Sequence, residues 1–129
     1  MNMEINNEFF DWQWDDIIKG KRAGEFSIFV PKGERPKTQK QFFYYCYYQL
    51  ISRLIAGKNY KNSIEFGCGR GTVSLYLNLY NGIDTTLFDI SGDALEIAKA
   101  NFDLYGKKGE FFVADSAKVS VPDNSFDLA

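Results

Sequence analysis

From residue 63 onward, apolar and amphipathic stretches alternate in a regular order. Short β-branched and apolar runs predict three strands, at residues 63–66, 85–89 and 110–115. Apolar positions at helical spacing predict the two intervening helices, at residues 72–80 and 92–105. A turn at residues 122–125 leads into residues 126–129, which are expected to begin a fourth strand. This β-α-β-α-β order predicts an α/β fold with a parallel sheet.

A longer helix is predicted between Thr38 and Gly57. Thr38 and Gln41 fit a capping box, and Gly57 supplies a left-handed stop. The apolar side chains between them form a wide stripe over two faces, with Phe43, Tyr47, Leu50 and Leu54 on one and Tyr44, Tyr48, Ile51 and Ile55 on the other. A short amphipathic helix is also predicted at residues 8–18. We interpret residues 1–60 as an N-terminal helical lid, with packing against the sheet as the alternative for most of these rings.

The most informative feature is a glycine-rich turn after the first predicted strand. That strand ends in Glu65, and a glycine follows at every second position, at Gly67, Gly69 and Gly71. Glycine permits positive φ and a close approach of the backbone to a ligand. The second and third predicted strands also end in acids, Asp89 and Asp115. Parallel strands joined by helices end on the same side, so the three acids are expected near the turn. A carboxylate there can bind a ribose diol, which predicts a nucleoside ligand.

These motifs resemble those of class I S-adenosylmethionine (SAM)-dependent methyltransferases, over about residues 63–129. The resemblance rests on four stretches, E-F-G-C-G-R-G from Glu65, L-F-D-I-S from Leu87, F-F-V-A-D-S from Phe111 and N-S-F-D-L-A from Asn124. It implies a Rossmann-like, doubly wound, mainly parallel sheet of seven strands. This chain would hold the first three of these strands and the start of the fourth. In that family the first strand is central, the second and third lie to one side and the fourth to the other.

The resemblance also implies that SAM is the cofactor and that a methyl group is transferred to an acceptor. It assigns Glu65, Gly67 and Gly69 to the methionine end of SAM, Asp89 to the ribose, Asp115 and the Ser116 N–H to the adenine, and Asp127 to the surroundings of the sulfonium. Phe66, Cys68, Gly71 and Ile90 complete the expected cofactor-binding set as their motif neighbours. No catalytic residue is identified; Asp127 and a tyrosine of the lid are candidate general bases. Asp127 could equally be a surface acid that precedes a buried strand.

Other classes of nucleotide-binding protein fit these residues less well. A dinucleotide-binding Rossmann domain has G-x-G-x-x-G, and its third glycine would fall at the position of Thr72. A phosphate-binding P-loop needs Lys-Ser or Lys-Thr after its glycines, and neither follows here. A non-catalytic module that binds SAM or another nucleoside stays open as an alternative function.

Composition narrows the class of protein further. With 129 residues, 45% hydrophobic and 25% charged, the chain has room for one domain with a core. The net charge of −2 gives no general electrostatic attraction for nucleic acid, and no apolar run reaches membrane-spanning length. We therefore expect a small-molecule acceptor. No secretory leader is visible, which predicts a cytoplasmic location. The chain has no histidine, and no metal is expected. Cys46 and Cys68 are expected to be reduced thiols.

Residues 61–129 are interpreted as the SAM-binding domain, truncated within its fourth strand. An incomplete strand there would leave the sheet with an unpaired edge. Such an edge can pair with another chain, so self-association is one expected property of the domain.

Overall fold

The computed structural model describes residues 29–129, so the helix predicted at residues 8–18 lies outside the described residues. Within that range, three helices and three strands are formed. They are α1 (Gln39–Leu54), β1 (Asn62–Phe66), α2 (Thr72–Asn81), β2 (Asp84–Asp89), α3 (Gly92–Leu104) and β3 (Glu110–Val113). The β-α-β-α-β order predicted from the alternation of apolar stretches is confirmed.

The first helix, α1, begins and ends where its capping residues predict. Thr38 is the N-cap, and its Oγ1 accepts the Gln41 N–H at 3.1 Å. The Gln41 side chain accepts the N–H of Lys37 at 2.7 Å, one residue earlier than in a standard capping box. After the last helical residue, Leu54, Gly57 takes a φ of +76°. Local sequence therefore determines both ends of this helix.

Only one of the two apolar faces of α1 packs against the rest of the described structure. The face with Tyr48 and Ile55 is buried, and the Tyr48 ring stacks on Tyr76 at 4.6 Å between centroids. The other face is more than half exposed, at Phe43 (64%), Tyr47 (51%), Leu50 (55%) and Leu54 (70%). The difference arises because α1 meets α2 along a single side. The helical period predicted the stripe but not which half of it would be covered.

The strands form a parallel sheet in the order β1-β2-β3. On the free side of β1, Ser63 forms a parallel bridge with Leu128, and the Ile64 N–H donates to the Leu128 carbonyl at 2.9 Å. The first strand is therefore central, with β2 and β3 to one side and the start of a fourth strand to the other. The predicted Rossmann-like order is confirmed. This order places the carboxyl ends of β1, β2 and β3 at one edge of the sheet.

The helices α2 and α3 pack on one face of the sheet. Leu87 is fully buried beneath them, and Phe102 of α3 meets Phe111 of β3 edge to face at 5.3 Å. The opposite face carries a row of three stacked rings in cross-strand register, Phe66, Phe88 and Phe112, with centroids 5.4 and 5.2 Å apart. Phe66 and Phe112 are 43% and 47% exposed. Residues 29–129 thus supply one helical layer, and this aromatic face stays open within them.

Two tyrosines of α2 anchor the segment that precedes α1. Tyr76 is fully buried, and its hydroxyl oxygen accepts the Val30 N–H at 2.8 Å. The Tyr80 hydroxyl donates to the Val30 carbonyl at 3.1 Å. The Phe29 ring lies 4.3 Å from that of Tyr76, centroid to centroid. Both polar groups of the Val30 backbone are therefore bonded to the same helix.

Two further findings concern membrane-spanning helices and the state of the cysteines. Across residues 29–129, no helix has both the length and the apolar character needed to cross a membrane. Both cysteines are free, with Cys46 exposed and Cys68 buried.

Candidate functional site

The loop between β1 and α2 reverses the chain at the carboxyl edge of the sheet. Its three glycines have φ values of +68° at Gly67, +52° at Gly69 and +68° at Gly71. All three lie in the left-handed region, which side chains with a Cβ adopt at a cost. Positive φ is therefore the physical reason for glycine at every second position.

The first and last of these glycines have different surroundings. Among residues 29–129, a Cβ on Gly67 would meet no atom within 4 Å. A Cβ on Gly71 would lie 3.0 Å from Leu87 Cδ2 and 3.1 Å from Ala98 Cβ. Gly71 therefore allows the loop to pack closely against β2 and α3. A side chain at Gly71 would face the core, so any contact of this residue with a cofactor would be made by its backbone, and its place in the cofactor-binding set stays a prediction.

The end of β2 holds the amide groups of this loop. The N–H groups of Gly67 and Cys68 both donate to the Phe88 carbonyl, at 2.8 and 3.0 Å. The Gly69 N–H donates to Asp89 Oδ2 at 2.8 Å. The Cys68 side chain is buried, and burial raises the pKa of its thiol, which therefore stays neutral. With these donors engaged, a ligand would meet the open surface at Gly67 and the neighbouring acids.

Asp89 lies beside the loop, where the sequence placed it. Its Oδ2 accepts the Gly69 N–H, and its Oδ1 accepts the Ser91 N–H at 2.9 Å. Each carboxylate oxygen can accept more than one hydrogen bond, so acceptor capacity remains for a diol. Asp89 is 9% exposed. The residue therefore joins the glycine loop to the start of α3, in addition to its predicted role at the ribose.

Glu65 is the last residue but one of β1, and its side chain contacts the first turn of α2. Its carboxyl group accepts hydrogen bonds from the hydroxyl and from the backbone N–H of Ser74. Desolvation raises the pKa of Glu65 from 4.5 to about 7; the Ser74 bonds act in the opposite direction, and the charge of Asp89 adds to the rise. The N-cap of α2, Gly71, has no side chain to cap the helix. Glu65 therefore supplies the acceptor at a helix N-terminus, where negative charge is favoured.

Asp115 and Ser116 follow β3 at the same edge of the sheet. The Ala114 N–H donates to the Asp89 carbonyl at 2.9 Å, which brings the ends of β2 and β3 together. Asp115 Oδ1 accepts the Ala117 N–H at 3.0 Å, and its Oδ2 lies 3.5 Å from Lys118 Nζ. The Asp115 side chain is 39% exposed, and Ser116 is exposed. Their roles at the adenine stay predictions.

The remaining predicted side chains at this edge are Phe66 and Ile90. Phe66 ends β1 and is 43% exposed, with its ring stacked on Phe88. Ile90 follows Asp89 and is partly exposed. Both therefore flank the loop, and contact with a cofactor stays a prediction for each.

Asp127 lies at the opposite edge, and its predicted place in the cofactor site is wrong. Its Oδ2 accepts the N–H groups of Lys61 at 2.7 Å and Asn62 at 3.3 Å. Asn62 begins β1, so this edge is about 13 Å from the glycine loop at about 3.3 Å per residue. A parallel fourth strand starts beside the start of β1, which carries its first acid to the amino end of the sheet. Asp127 is therefore also removed as a candidate general base.

The structure adds one residue to the site and weakens a second candidate base. Ser74 was missed because no motif contains it; the only clue was its position in the first turn of α2. Tyr48 of the predicted lid donates its hydroxyl to Asn81 Oδ1 at 2.9 Å, and desolvation raises the pKa of Tyr48. It stays protonated near neutral pH and is poorly suited to act as a base. The lid itself stays a prediction, since these contacts lie towards the end of α2 that is distant from the loop.

Comparison with known proteins agrees with this geometry. Residues 64–129, about half of the chain, match a family model described as a methyltransferase domain. A comparison with curated proteins found no match.

Three solved structures illustrate the shared fold. The [4+2]-cyclase SpnF matches 95% of this chain with a TM-score of 0.70 and 17% identity. A S-adenosylmethionine-dependent methyltransferase from Clostridium acetobutylicum matches 94%, with a TM-score of 0.57 and 18% identity. The tRNA (uracil-54, C5)-methyltransferase from Pyrococcus abyssi, in complex with S-adenosyl-L-homocysteine (SAH), matches 64%, with a TM-score of 0.54 and 28% identity. The chain spans 47%, 42% and 20% of these three chains, which is less than half of each. By its family match and its fold, the chain belongs to the methyltransferase domain family, as its resemblance to class I SAM-dependent methyltransferases implied.

Proposed function

We propose that this domain binds SAM at the glycine loop and that the protein transfers the methyl group to a small-molecule acceptor. One observation carries the proposal: the Glu65 carboxyl group accepts a hydrogen bond from the Ser74 hydroxyl in the first turn of α2, beside the N-terminus of that helix. In dinucleotide-binding domains, the corresponding helix N-terminus receives a pyrophosphate. An acid in that place would repel a phosphate and attract a cation. It favours a cationic nucleoside such as SAM over NAD.

The other residues at this edge fit SAM by their chemistry. Asp89 keeps acceptor capacity for the two ribose hydroxyls, and the open space at Gly67 leaves room for close approach. Asp115 and Ser116 are accessible for the adenine amino group and ring. We propose that Glu65 pairs with the amino group of the methionine end, a role that its carboxyl group and its position beside the loop support. When bound, SAM supplies a methyl carbon on a sulfonium leaving group.

The protein's share of such a reaction is to hold and align the reactants. Correct alignment can lower the barrier by about 7–11 kcal/mol without any acid or base from the protein. The acceptor is proposed to be a small molecule because the net charge is −2. Nucleic-acid-binding surfaces are strongly basic, since they neutralise phosphates. We therefore do not propose tRNA, the substrate in the name of the P. abyssi protein, as the acceptor for this chain.

A non-catalytic SAM-binding module is the second candidate function. We keep it because one fold hosts several activities, so that methyl transfer does not follow from the fold alone. Binding alone would not separate the two candidates. A transfer measurement is needed.

Transfer can be tested with SAM that carries a labelled methyl group. The protein is incubated separately with a small-molecule extract, an RNA fraction and a protein fraction, and Asp89→Ala serves as the control. We expect labelled product, separated from SAM itself, only in the incubation with the small-molecule extract. The variant should form less of that product. Label in RNA or protein alone would contradict the acceptor class. SAM binding without transfer to any fraction would favour the non-catalytic module.

A further inference from the structure

We propose that Ser74 is a positioning residue of the cofactor site, whose hydroxyl and N–H hold the Glu65 carboxyl group ready to receive the amino group of SAM. This proposal rests on the proposed binding of SAM. It assigns a function to a residue that belongs to none of the recognised motifs.

The geometry around Ser74 supports a specific contact and not general packing. Ser74 is 1% exposed and is the third residue of α2. The N–H groups of a first helical turn have no partner within the helix, and the N-cap Gly71 offers no side chain. The Ser74 N–H and hydroxyl both donate to Glu65 instead. A carboxyl group held at two points keeps one orientation while other lone-pair positions remain for a ligand.

The charge state of Glu65 depends on this contact. Desolvation favours the neutral acid, and so does the negative charge of Asp89 on β2. Cys68 of the loop also faces Glu65, but its thiol is neutral. The bonds from Ser74 favour the ionised form. Loss of the Ser74 hydroxyl would therefore leave Glu65 protonated to higher pH, and a neutral acid cannot form an ion pair with the cofactor amino group.

The experiment measures the affinity for SAH by calorimetry between pH 6 and 9. SAH carries the same amino group as SAM and is not consumed. Four proteins are compared: the wild type, Ser74→Ala, Ser74→Thr and the matched control Ser63→Ala. Ser63 is also a buried serine, 3% exposed, but it lies near the start of β1, at the edge of the sheet away from the loop, where its hydroxyl donates to the Asp84 carbonyl at 3.4 Å. Melting temperatures are recorded for each, and Ser74→Cys, a weak donor of similar size, replaces Ser74→Ala if the latter does not fold.

Wild-type affinity is expected to rise with pH as Glu65 loses its proton. Ser74→Ala should bind SAH about tenfold more weakly at pH 7, the effect of one lost hydrogen bond to a charged group. Its affinity profile should also move to higher pH by about one unit. Ser74→Thr keeps the hydroxyl and should restore both quantities, and Ser63→Ala should change neither.

An unchanged affinity and pH profile in Ser74→Ala would overturn the proposal. So would an equal loss at every pH that Ser74→Thr does not restore, since a packing defect would act in that way. Failure of the wild-type protein to bind SAH would instead overturn the proposed function on which this inference rests. The two failures are thus told apart by the wild-type titration.

Discussion

At the scale of single residues, the acids at the strand ends each carry a structural task and a predicted binding task. Asp89 accepts two backbone N–H groups, and Glu65 accepts two donors from Ser74. Their contributions to folding and to binding must therefore be measured separately. Each has a distinct experimental signature.

Replacing Asp89 by alanine should affect both affinity and stability. Loss of the acceptor for the Gly69 and Ser91 N–H groups should lower the free energy of unfolding by about 2–3 kcal/mol. Loss of the contact with the ribose should weaken SAM binding about tenfold to a hundredfold. Calorimetry on the folded variant and thermal melts measure the two effects. Asp84→Ala, an exposed acid at the other end of β2, is the control and should change neither. Lower stability with undiminished affinity would show that Asp89 has only its structural task.

The pKa of Glu65 predicts how stability varies with pH. The folded protein raises this pKa to about 7, so folding favours the protonated acid. The stabilisation from this group is complete below pH 4.5 and is lost as the pH rises through about 7. Thermal melts of the wild type and Glu65→Gln should therefore diverge, with the variant becoming relatively more stable by about 3 kcal/mol between pH 4.5 and pH 8. Glu96→Gln, an exposed acid on α3, should show no such trend. A pH-independent difference for Glu65→Gln would contradict the raised pKa.

At the scale of elements, the glycine loop combines two functions that lie on opposite sides of one turn. Gly71 lets α2, α3 and β2 approach one another, whereas Gly67 leaves open space outside the loop. The segment before α1 is fixed by a different device, the two tyrosine hydroxyls that bond the Val30 backbone.

Alanine substitutions should separate the two functions of the loop. Gly71→Ala combines positive φ with overlap at Leu87 and Ala98, and should cost about 2–5 kcal/mol of stability. Gly67→Ala has positive φ without overlap and should cost about 1–2 kcal/mol. Gly82, with a φ of +65° and open space at the other end of α2, is the matched control. Gly67→Ala and Gly82→Ala should melt alike, but only Gly67→Ala should weaken SAM binding. Equal affinity in these two variants would argue against a ligand at Gly67.

The tyrosine anchor predicts a difference between two similar variants. Tyr76→Phe leaves the buried Val30 N–H without its acceptor and should cost about 1–3 kcal/mol. Tyr80→Phe removes the donor to the Val30 carbonyl, and should cost less because Tyr80 is only partly buried whereas Tyr76 is fully buried. Urea unfolding of both variants measures the difference. A larger loss for Tyr80→Phe would contradict this description of the anchor.

At the scale of the whole molecule, the sequence predicted what depends on local patterns. The order of strands and helices followed from the alternation of apolar runs, and the ends of α1 followed from Thr38 and Gly57. The placement of Asp89 followed from the rule that parallel strands end together. The features that were missed or misplaced depend on packing between distant segments. They are the exposed half of the α1 stripe, the contact of Ser74 with Glu65, and the position of Asp127 at the amino edge.

The central claim is that the loop and its acids form a site for SAM. The most direct test is calorimetry of the wild-type protein with SAM, SAH and NAD under identical conditions. We expect SAM and SAH to bind and NAD to bind far more weakly, because the Glu65 carboxyl group lies where a pyrophosphate would otherwise meet the N-terminus of α2. A clear preference for NAD would contradict the account.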